Sequence, residues 1–190
     1  LEFKLIQKDK YEKLGNDIDA IRRHSIKVND QSTKYTVDIS SYEYVETAVN
    51  KEIDGIILKV YTPEMILIEK LRALCQSMDK YKEIVTTARP KERARDLYDI
   101  WMIKTHFTKL NLTPELFTNI FSAKCVPLKF LNDFELLRER NRSNWDVVKQ
   151  TIHNPEELLN YDYYFDYVKE IITPFKSLWD SIDSNEVKTL

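Results

Sequence analysis

Hydrophobic and polar residues alternate along the first part of the chain and follow helical spacing along the rest. In Lys34–Ser40 (KYTVDIS), Tyr35, Val37 and Ile39 share one face of a predicted strand. The strongest strand signal is Ile53–Tyr61 (IDGIILKVY), whose β-branched run indicates a central strand covered on both sides. The pattern therefore predicts a sheet on the N-terminal side of the chain.

Segments around these strands complete the predicted N-terminal part. Asp30-Gln31-Ser32 separates Ile26–Asn29 from the alternating Lys34–Ser40, which predicts a hairpin. Leu1–Ile6 is predicted as a further strand. The charge spacing and apolar series of Asp9–Arg23 predict one helix.

Helical spacing begins at Thr62-Pro63-Glu64, where a hydroxyl N-cap, a proline at the first helical position and an acid in the first turn predict a helix start. We expect this helix to reach Met78 and the next to span Lys91–Phe107. Thr113-Pro114-Glu115 repeats the start signal, and the last long helix is predicted from Tyr161. Strands followed by helices predict an α+β fold with a helical bundle in its C-terminal part.

Composition restricts the class of protein. The 190 residues are 43% hydrophobic and 32% charged with a formal net charge of −2, which excludes a disordered chain and gives no overall attraction to nucleic acid. Cys75 and Cys125 lie far apart, so neither a zinc site nor a disulfide framework is predicted. No apolar segment approaches the ~20 residues that a membrane span needs. We expect a cytoplasmic protein with no membrane partner.

One group of charged residues forms a candidate polar site. Lys70 lies within the hydrophobic run of the first predicted long helix, and Asp96 and Asp99 lie on one face of the second. Basic side chains near carboxylates suit the binding of a triphosphate and magnesium, since phosphoryl transfer depends on positioning and charge neutralisation. A helix pair with solvated ion pairs fits the same pattern. The remaining candidates are Arg72, Arg89 and Arg95 as nucleotide ligands and Asp38, on the predicted strand, as a metal ligand.

Two segments of this region resemble a known family. TPEMILIEKLRALCQ (62–76) and RPKERARDLYDIW (89–101) are similar, in this order and spacing, to the nucleotidyltransferase toxins of the AbiEii/AbiGii family, the toxin half of type IV toxin–antitoxin systems of abortive infection. The resemblance implies catalytic roles for Lys70 and Asp96, with Asp99 close by, and supports Asp38 as a metal-binding carboxylate.

The resemblance also implies a domain organisation and a reaction. Residues 1–108 are expected to be the C-terminal part of a polymerase-β-like nucleotidyltransferase domain, and residues 109–190 a helical domain. The complete protein is expected to use Mg2+ and an NTP, to transfer a nucleotide to an RNA (such as a tRNA) or a protein, to have a cognate antitoxin and to act in phage defence. The alternative is a non-catalytic helical module that binds RNA or a protein.

Two motifs of the family have no counterpart in the chain. These are a Gly-Gly-Ser/Thr turn and a D-x-D pair on the following strand, and the only two glycines in the sequence are the isolated Gly15 and Gly55. Asp17 and Asp19 have the D-x-D spacing but would point about 200° apart on a helix. Either the chain lacks the N-terminal part of its catalytic domain or its lineage has lost these motifs; we expect the former, and in both cases a chain that is inactive by itself.

Overall fold

Helices make up most of the computed structural model, which describes residues 1–27, 32–40 and 42–180. Within these residues the strands form two antiparallel sheets of two strands each. The predicted α+β fold class is confirmed. Contacts divide the chain into two compact units, Leu1–Ser41 and Tyr42–Leu190.

The first unit is a small sheet with two short helices between its strands. Strand β1 (Glu2–Phe3) pairs with β2 (Tyr35–Thr36), and the rings of Phe3 and Tyr35 stack with their centroids 5.7 Å apart. The predicted partner of the β2 segment, Ile26–Asn29, lies partly outside the described residues. Asp30 and Gln31 of the predicted turn also lie outside the described residues.

The predicted single helix Asp9–Arg23 is wrong, because two helices occupy this stretch. Helix α1 (Lys8–Leu14) ends at Gly15, whose φ of 56° is a conformation that glycine adopts without strain. Helix α2 (Ile18–Arg23) then begins after Asp17, whose carboxylate accepts a hydrogen bond from the Ala20 N–H at 2.9 Å. Asp17 therefore serves as an N-cap and not as one half of a D-x-D pair.

The second unit begins with a hairpin where the sequence predicted one continuous central strand. Strands β3 (Val49–Ile53) and β4 (Ile56–Val60) pair in antiparallel register, joined by Asp54 and Gly55. Both turn residues have positive φ, of 50° and 79°, which is the requirement of a type I′ hairpin turn. Most of β4 is exposed, so the predicted coverage on both sides is also wrong.

Helices build the rest of the second unit. Short 3-10 helices at Asp79–Glu83, Leu128–Leu136, Pro155–Glu157 and Thr173–Phe175 lie between the α-helices. The helices are α3 (Pro63–Gln76), α4 (Ala94–His106), α5 (Pro114–Ala123), α6 (Leu137–Arg142), α7 (Trp145–Thr151), α8 (Tyr161–Ile172) and α9 (Lys176–Asp180).

Both predicted Thr-Pro-Glu helix starts are confirmed. The Thr62 hydroxyl accepts a hydrogen bond from the Met65 N–H at 3.3 Å, and the Thr113 hydroxyl accepts one from the Leu116 N–H at 3.2 Å. In each case the proline occupies the first helical position, where its missing N–H removes no helical bond. These caps fix where α3 and α5 begin.

One hydrophobic core holds the helices of the second unit together. Helix α3 packs on α4 and α5, and α4 packs on α8. The core contains Leu67, Leu71, Leu74 and Cys75 of α3, all fully buried. It also contains residues on both sides of position 108, so the predicted domain boundary lies inside this unit and stays a prediction.

The described helices include none with the length and apolar character that crossing a membrane requires.

Candidate functional site

Helices α3 and α4 bring Lys70 and both predicted aspartates into contact. The Lys70 Nζ atom donates hydrogen bonds to Asp96 Oδ1 at 3.0 Å and to Asp99 Oδ2 at 2.7 Å. Asp96 and Asp99 are one helical turn apart on α4, so their carboxylates converge on the same ammonium. The contact joins residues that are 26 and 29 positions apart in the sequence.

Two arginines at the start of α4 complete this group. Arg93 Nε donates to Asp96 Oδ2 at 2.5 Å, and Arg95 Nε donates to Asp99 Oδ1 at 3.0 Å. Each aspartate therefore has one oxygen on Lys70 and the other on an arginine. We call these five residues (Lys70, Arg93, Arg95, Asp96 and Asp99) the Lys70 cluster.

The Lys70 cluster is partly buried, which keeps its geometry fixed. The Asp96 side chain is 9% exposed and the Lys70 side chain 23% exposed. Burial lowers the pKa of the Lys70 ammonium, but the hydrogen bonds and charges of Asp99 and Asp96 outweigh it, so the net pKa is raised. Lys70 therefore stays positively charged throughout the physiological pH range.

Two cations of the cluster, Lys70 and Arg93, have N–H donors that the aspartates do not use. The cluster holds three cations against two carboxylates, and an ammonium has three N–H donors of which the aspartates use two. Arg93 is bonded through Nε, and its Nη atoms have no hydrogen-bond partner among the described residues. The Lys70 side chain is 23% exposed and the Arg93 side chain 42% exposed, so both cations are partly open to solvent.

Arg72 does not join this group. It lies two positions after Lys70 on α3, which turns its side chain about 200° away around the helix. The buried guanidinium donates from Nε to Glu69 Oε2 at 2.6 Å and from Nη1 to Gln76. Its predicted nucleotide-binding role stays a prediction, and its observed contacts are within α3.

Arg72 pairs with Glu69, which lies in a second polar group together with Glu43, Tyr61 and Lys124. The sequence did not predict this group. The Tyr61 hydroxyl donates to Glu43 Oε2 at 3.4 Å, and Lys124 pairs with Glu43 Oε1 at 2.7 Å. Burial raises the pKa of the Glu69 carboxyl above its ordinary value despite the neighbouring Arg72, and it raises the pKa of Tyr61 to about 12. This group connects the segment before β3 to α3 and to the end of α5, which is a structural role.

The other predicted site residues lie in exposed segments. Arg89 is exposed in the loop before α4. Asp38 belongs to the first unit and is exposed, and its predicted place on a strand is wrong because β2 ends at Thr36. The two residues of β2 pair with β1, and backbone hydrogen bonds between Leu1 and Val37 continue this pairing to the residue before Asp38.

The described residues do not provide a metal site by themselves. No group of three or more His, Cys, Asp or Glu side chains among them is arranged to hold a metal ion. Asp96 and Asp99 already face cations with both oxygens, and Asp38 has no second ligand of this kind among the described residues. The observed donor set therefore fits an anion better than Mg2+.

The arginines of α6 do not form a free basic patch. Arg138 pairs with Asp162 at 2.8 Å, Arg142 pairs with Asp162 at 2.7 Å, and Arg140 pairs with Asp79 at 3.0 Å. These pairs neutralise the charge that a polyanion would need.

Sequence reasoning missed two residues of the site. Arg93 was visible in the basic run before α4, and its spacing of three from Asp96 places the two side chains on one face of the helix start. Asn141 accepts a hydrogen bond from the Arg93 backbone N–H at 2.7 Å across 48 residues. No local signal in the sequence indicates that second contact.

Comparison with known proteins identifies a family. No curated protein and no solved structure matches the chain. The family model described as "Nucleotidyl transferase AbiEii toxin, Type IV TA system" matches residues 3–170. This match includes α3, α4 and all five residues of the Lys70 cluster. The chain belongs to the AbiEii family of nucleotidyltransferase toxins of type IV toxin–antitoxin systems.

Proposed function

We propose that the Lys70 cluster holds the triphosphate of an NTP in a nucleotidyltransferase site. Lys70 supplies a point charge with a third N–H donor, and Arg93 supplies its Nη donors. Asp96 and Asp99 hold the two cationic groups in place, so little side-chain entropy is lost when the phosphates bind. Arg95, in the first turn of α4, and the exposed Arg89, in the loop before α4, are the other proposed nucleotide ligands.

One observation supports this proposal above all others. Two carboxylates of α4 converge on the single ammonium of Lys70, and each carboxylate also accepts a hydrogen bond from an arginine at the start of α4, so the group has one more cation than anion. Helices α3 and α4 are packed into the core, so the group is rigid. Preorganised charge of this kind is what phosphoryl transfer requires of a protein.

The proposed reaction moves a nucleotide from an NTP to an RNA, such as a tRNA, or to a protein. Nucleotidyltransferases of this family use a divalent metal, and Mg2+ supplies charge neutralisation at the phosphates when bound. Because the described residues do not form a metal site, we assign no step to the metal. The family's D-x-D carboxylates are its expected ligands, with Asp38 as the third carboxylate by resemblance.

The family supports a proposal for the cellular role. We propose a toxin that acts in the cytoplasm during phage defence and is opposed by a cognate antitoxin, with Lys70, Asp96 and Asp99 as its catalytic residues.

Triphosphate binding is the direct test. Isothermal titration of the 190-residue chain with inorganic tripolyphosphate and with each NTP is expected to show binding to one site that weakens as salt is raised. The double substitution Arg93→Ala/Arg95→Ala is expected to lower the affinity about 100-fold or more, because each arginine contributes a charge-assisted hydrogen bond of roughly 1.5–3 kcal/mol and each 1.4 kcal/mol is about tenfold in affinity.

Lys169→Ala is the matched control for this titration. It removes a lysine that pairs with Glu135 at 2.7 Å on the exposed side of α8, and should leave the affinity unchanged. Equal affinity of the wild type and the double variant would contradict the assignment of the triphosphate to the Lys70 cluster.

We expect the 190-residue chain by itself to transfer no nucleotide. The family's D-x-D carboxylates, which position two metal ions, have no counterpart in this sequence. We therefore expect no metal ions to be held where they would activate the triphosphate for in-line attack. Incubation with α-labelled NTPs, Mg2+ and total RNA should give no more label in RNA or protein than the Lys70→Ala variant gives. Incorporation by the wild type that Lys70→Ala removes would overturn this prediction while supporting the catalytic assignment.

A non-catalytic function is the second candidate, and one observation favours it. Every charged side chain of the Lys70 cluster has a partner inside the cluster, as in a structural ion-pair network. In that case the helical part binds an RNA or a partner protein, and neither tripolyphosphate nor NTP binds to α4. Titration with tripolyphosphate and NTPs therefore separates the two candidates.

A further inference from the structure

Asn141 is a completely buried polar residue with one hydrogen bond that connects distant parts of the chain. Its side chain, at the end of α6, is 0% exposed. The Oδ1 atom accepts a hydrogen bond from the Arg93 backbone N–H at 2.7 Å. A backbone N–H can only donate, so this contact fixes which side-chain atom of Asn141 is the oxygen.

This hydrogen bond lies at the N-terminal end of α4. Arg93 immediately precedes the helix and has no side-chain cap of its own, and the N–H groups at a helix start have no partner inside the helix. Asn141 therefore caps α4 from another helix. The capped residue is the one whose side chain bonds Asp96, so the cap and the Lys70 cluster share Arg93.

Packing alone does not explain an asparagine at this position. Its Nδ2 atom is buried and has no hydrogen-bond partner among the described residues. A buried donor without a partner is destabilising. Leucine has the same branched shape and number of side-chain non-hydrogen atoms without this cost. The contribution that leucine cannot make is the acceptor for the Arg93 N–H.

We propose that Asn141 is a positioning residue of the triphosphate site, acting on the Lys70 cluster through Arg93. The connection runs from Asn141 Oδ1 to the Arg93 backbone, from Arg93 Nε to Asp96 Oδ2, and from Asp96 Oδ1 to Lys70 Nζ, each step a hydrogen bond of 3.0 Å or less. Asn141 itself is bonded to no other member of the cluster. The proposal rests on the function proposed above.

We expect a substitution of Asn141 to change the affinity for tripolyphosphate much more than it changes the stability of the protein. Asn141→Leu removes the unsatisfied donor but leaves the Arg93 N–H without its acceptor, and because these two effects on stability oppose each other the melting temperature should change little. The Arg93 amide should exchange its hydrogen at least about tenfold faster, because its protecting bond is gone. The affinity for tripolyphosphate should fall about tenfold, the effect of one hydrogen bond.

Two further variants make the test specific. Asn141→Asp keeps an oxygen at the Oδ1 position and should retain slow exchange at the Arg93 amide together with most of the affinity. Asn141→Ala removes the acceptor without added bulk and should reproduce the fast exchange and weak binding if the leucine does not fit. The Phe121 amide of α5, remote in sequence from both partners, is the internal reference for exchange measured by NMR.

The outcomes separate this inference from the proposed function. Fast exchange at Arg93 with unchanged affinity in Asn141→Leu and Asn141→Ala would overturn the positioning role. Unchanged exchange in both variants would overturn it as well. A wild-type chain that binds no tripolyphosphate or NTP would overturn the proposed function, and with it the site that Asn141 serves, whatever the exchange at Arg93.

Discussion

Replacing Lys70 with alanine is expected to abolish triphosphate binding by this protein. The substitution removes the only ammonium on which Asp96 and Asp99 converge, so two carboxylates lose a partner and face the incoming phosphates. The lost charge-assisted bond and the added repulsion together predict a fall in affinity of roughly 100-fold or more. Titration with tripolyphosphate measures this directly, without any transfer reaction.

The same substitution is expected to have a smaller effect on stability. Asp96 keeps Arg93 and Asp99 keeps Arg95, so neither carboxylate is left without a cation. We expect unfolding to become easier by about 1–3 kcal/mol, the range for losing hydrogen bonds to charged groups. The control is again Lys169→Ala, which removes an exposed ion pair and should change stability by at most ~1 kcal/mol.

These two measurements decide between a functional and a structural lysine. A site lysine gives a large loss of affinity with a modest loss of stability. Lys70→Ala that binds tripolyphosphate like the wild type but melts at a lower temperature would make the Lys70 cluster a structural ion-pair network, and the catalytic assignment of Lys70 would be withdrawn.

Phe165→Ala is expected to destabilise the helical core more than Lys70→Ala does. Phe165 is fully buried in α8, with its ring centroid 5.0 Å from that of Phe134, and the Arg138 guanidinium lies 4.2 Å above the ring. Truncation of a buried phenylalanine costs about 3–5 kcal/mol through lost burial and the cavity that remains. That is a large fraction of the roughly 5–15 kcal/mol by which a typical domain is stable.

Urea unfolding followed by tryptophan fluorescence measures this effect. All three tryptophans, Trp101, Trp145 and Trp179, lie in the second unit, so the signal reports on the helical core. Leu136→Ala, at a 73% exposed leucine that precedes α6, is the control and should stay within about 0.5 kcal/mol of wild type. A loss below about 1 kcal/mol for Phe165→Ala would contradict the packing of α8 in the core.

Local sequence signals predicted the elements that carry the site. The Thr-Pro-Glu starts of α3 and α5 were correct because capping depends only on residues within one turn. The spacing of Asp96 and Asp99 placed both on one face for the same reason. Helical geometry also shows from sequence that Arg72 points away from Lys70, although it was included among the candidate ligands.

The errors arose where a local signal was misread. Asp54-Gly55 is a hairpin turn pair, but the β-branched residues around it led to the prediction of one central strand. Gly15 ended a helix that the apolar series alone would have continued. In both places the backbone adopts positive φ, and the glycine in the sequence was the available evidence.

What only the tertiary structure decided is which distant residues meet. The pairing of β1 with β2, the contact of Lys70 with α4, and the hydrogen bond from Arg93 to Asn141 join residues far apart in sequence. Periodicity determines which face of a helix is buried, but not which other helix covers it or in what register. The sequence by itself therefore determined the family, the fold class and the helix pair that carries Lys70, Asp96 and Asp99, while the packing of the helices decided that Lys70 meets both aspartates and that Asn141 contacts Arg93.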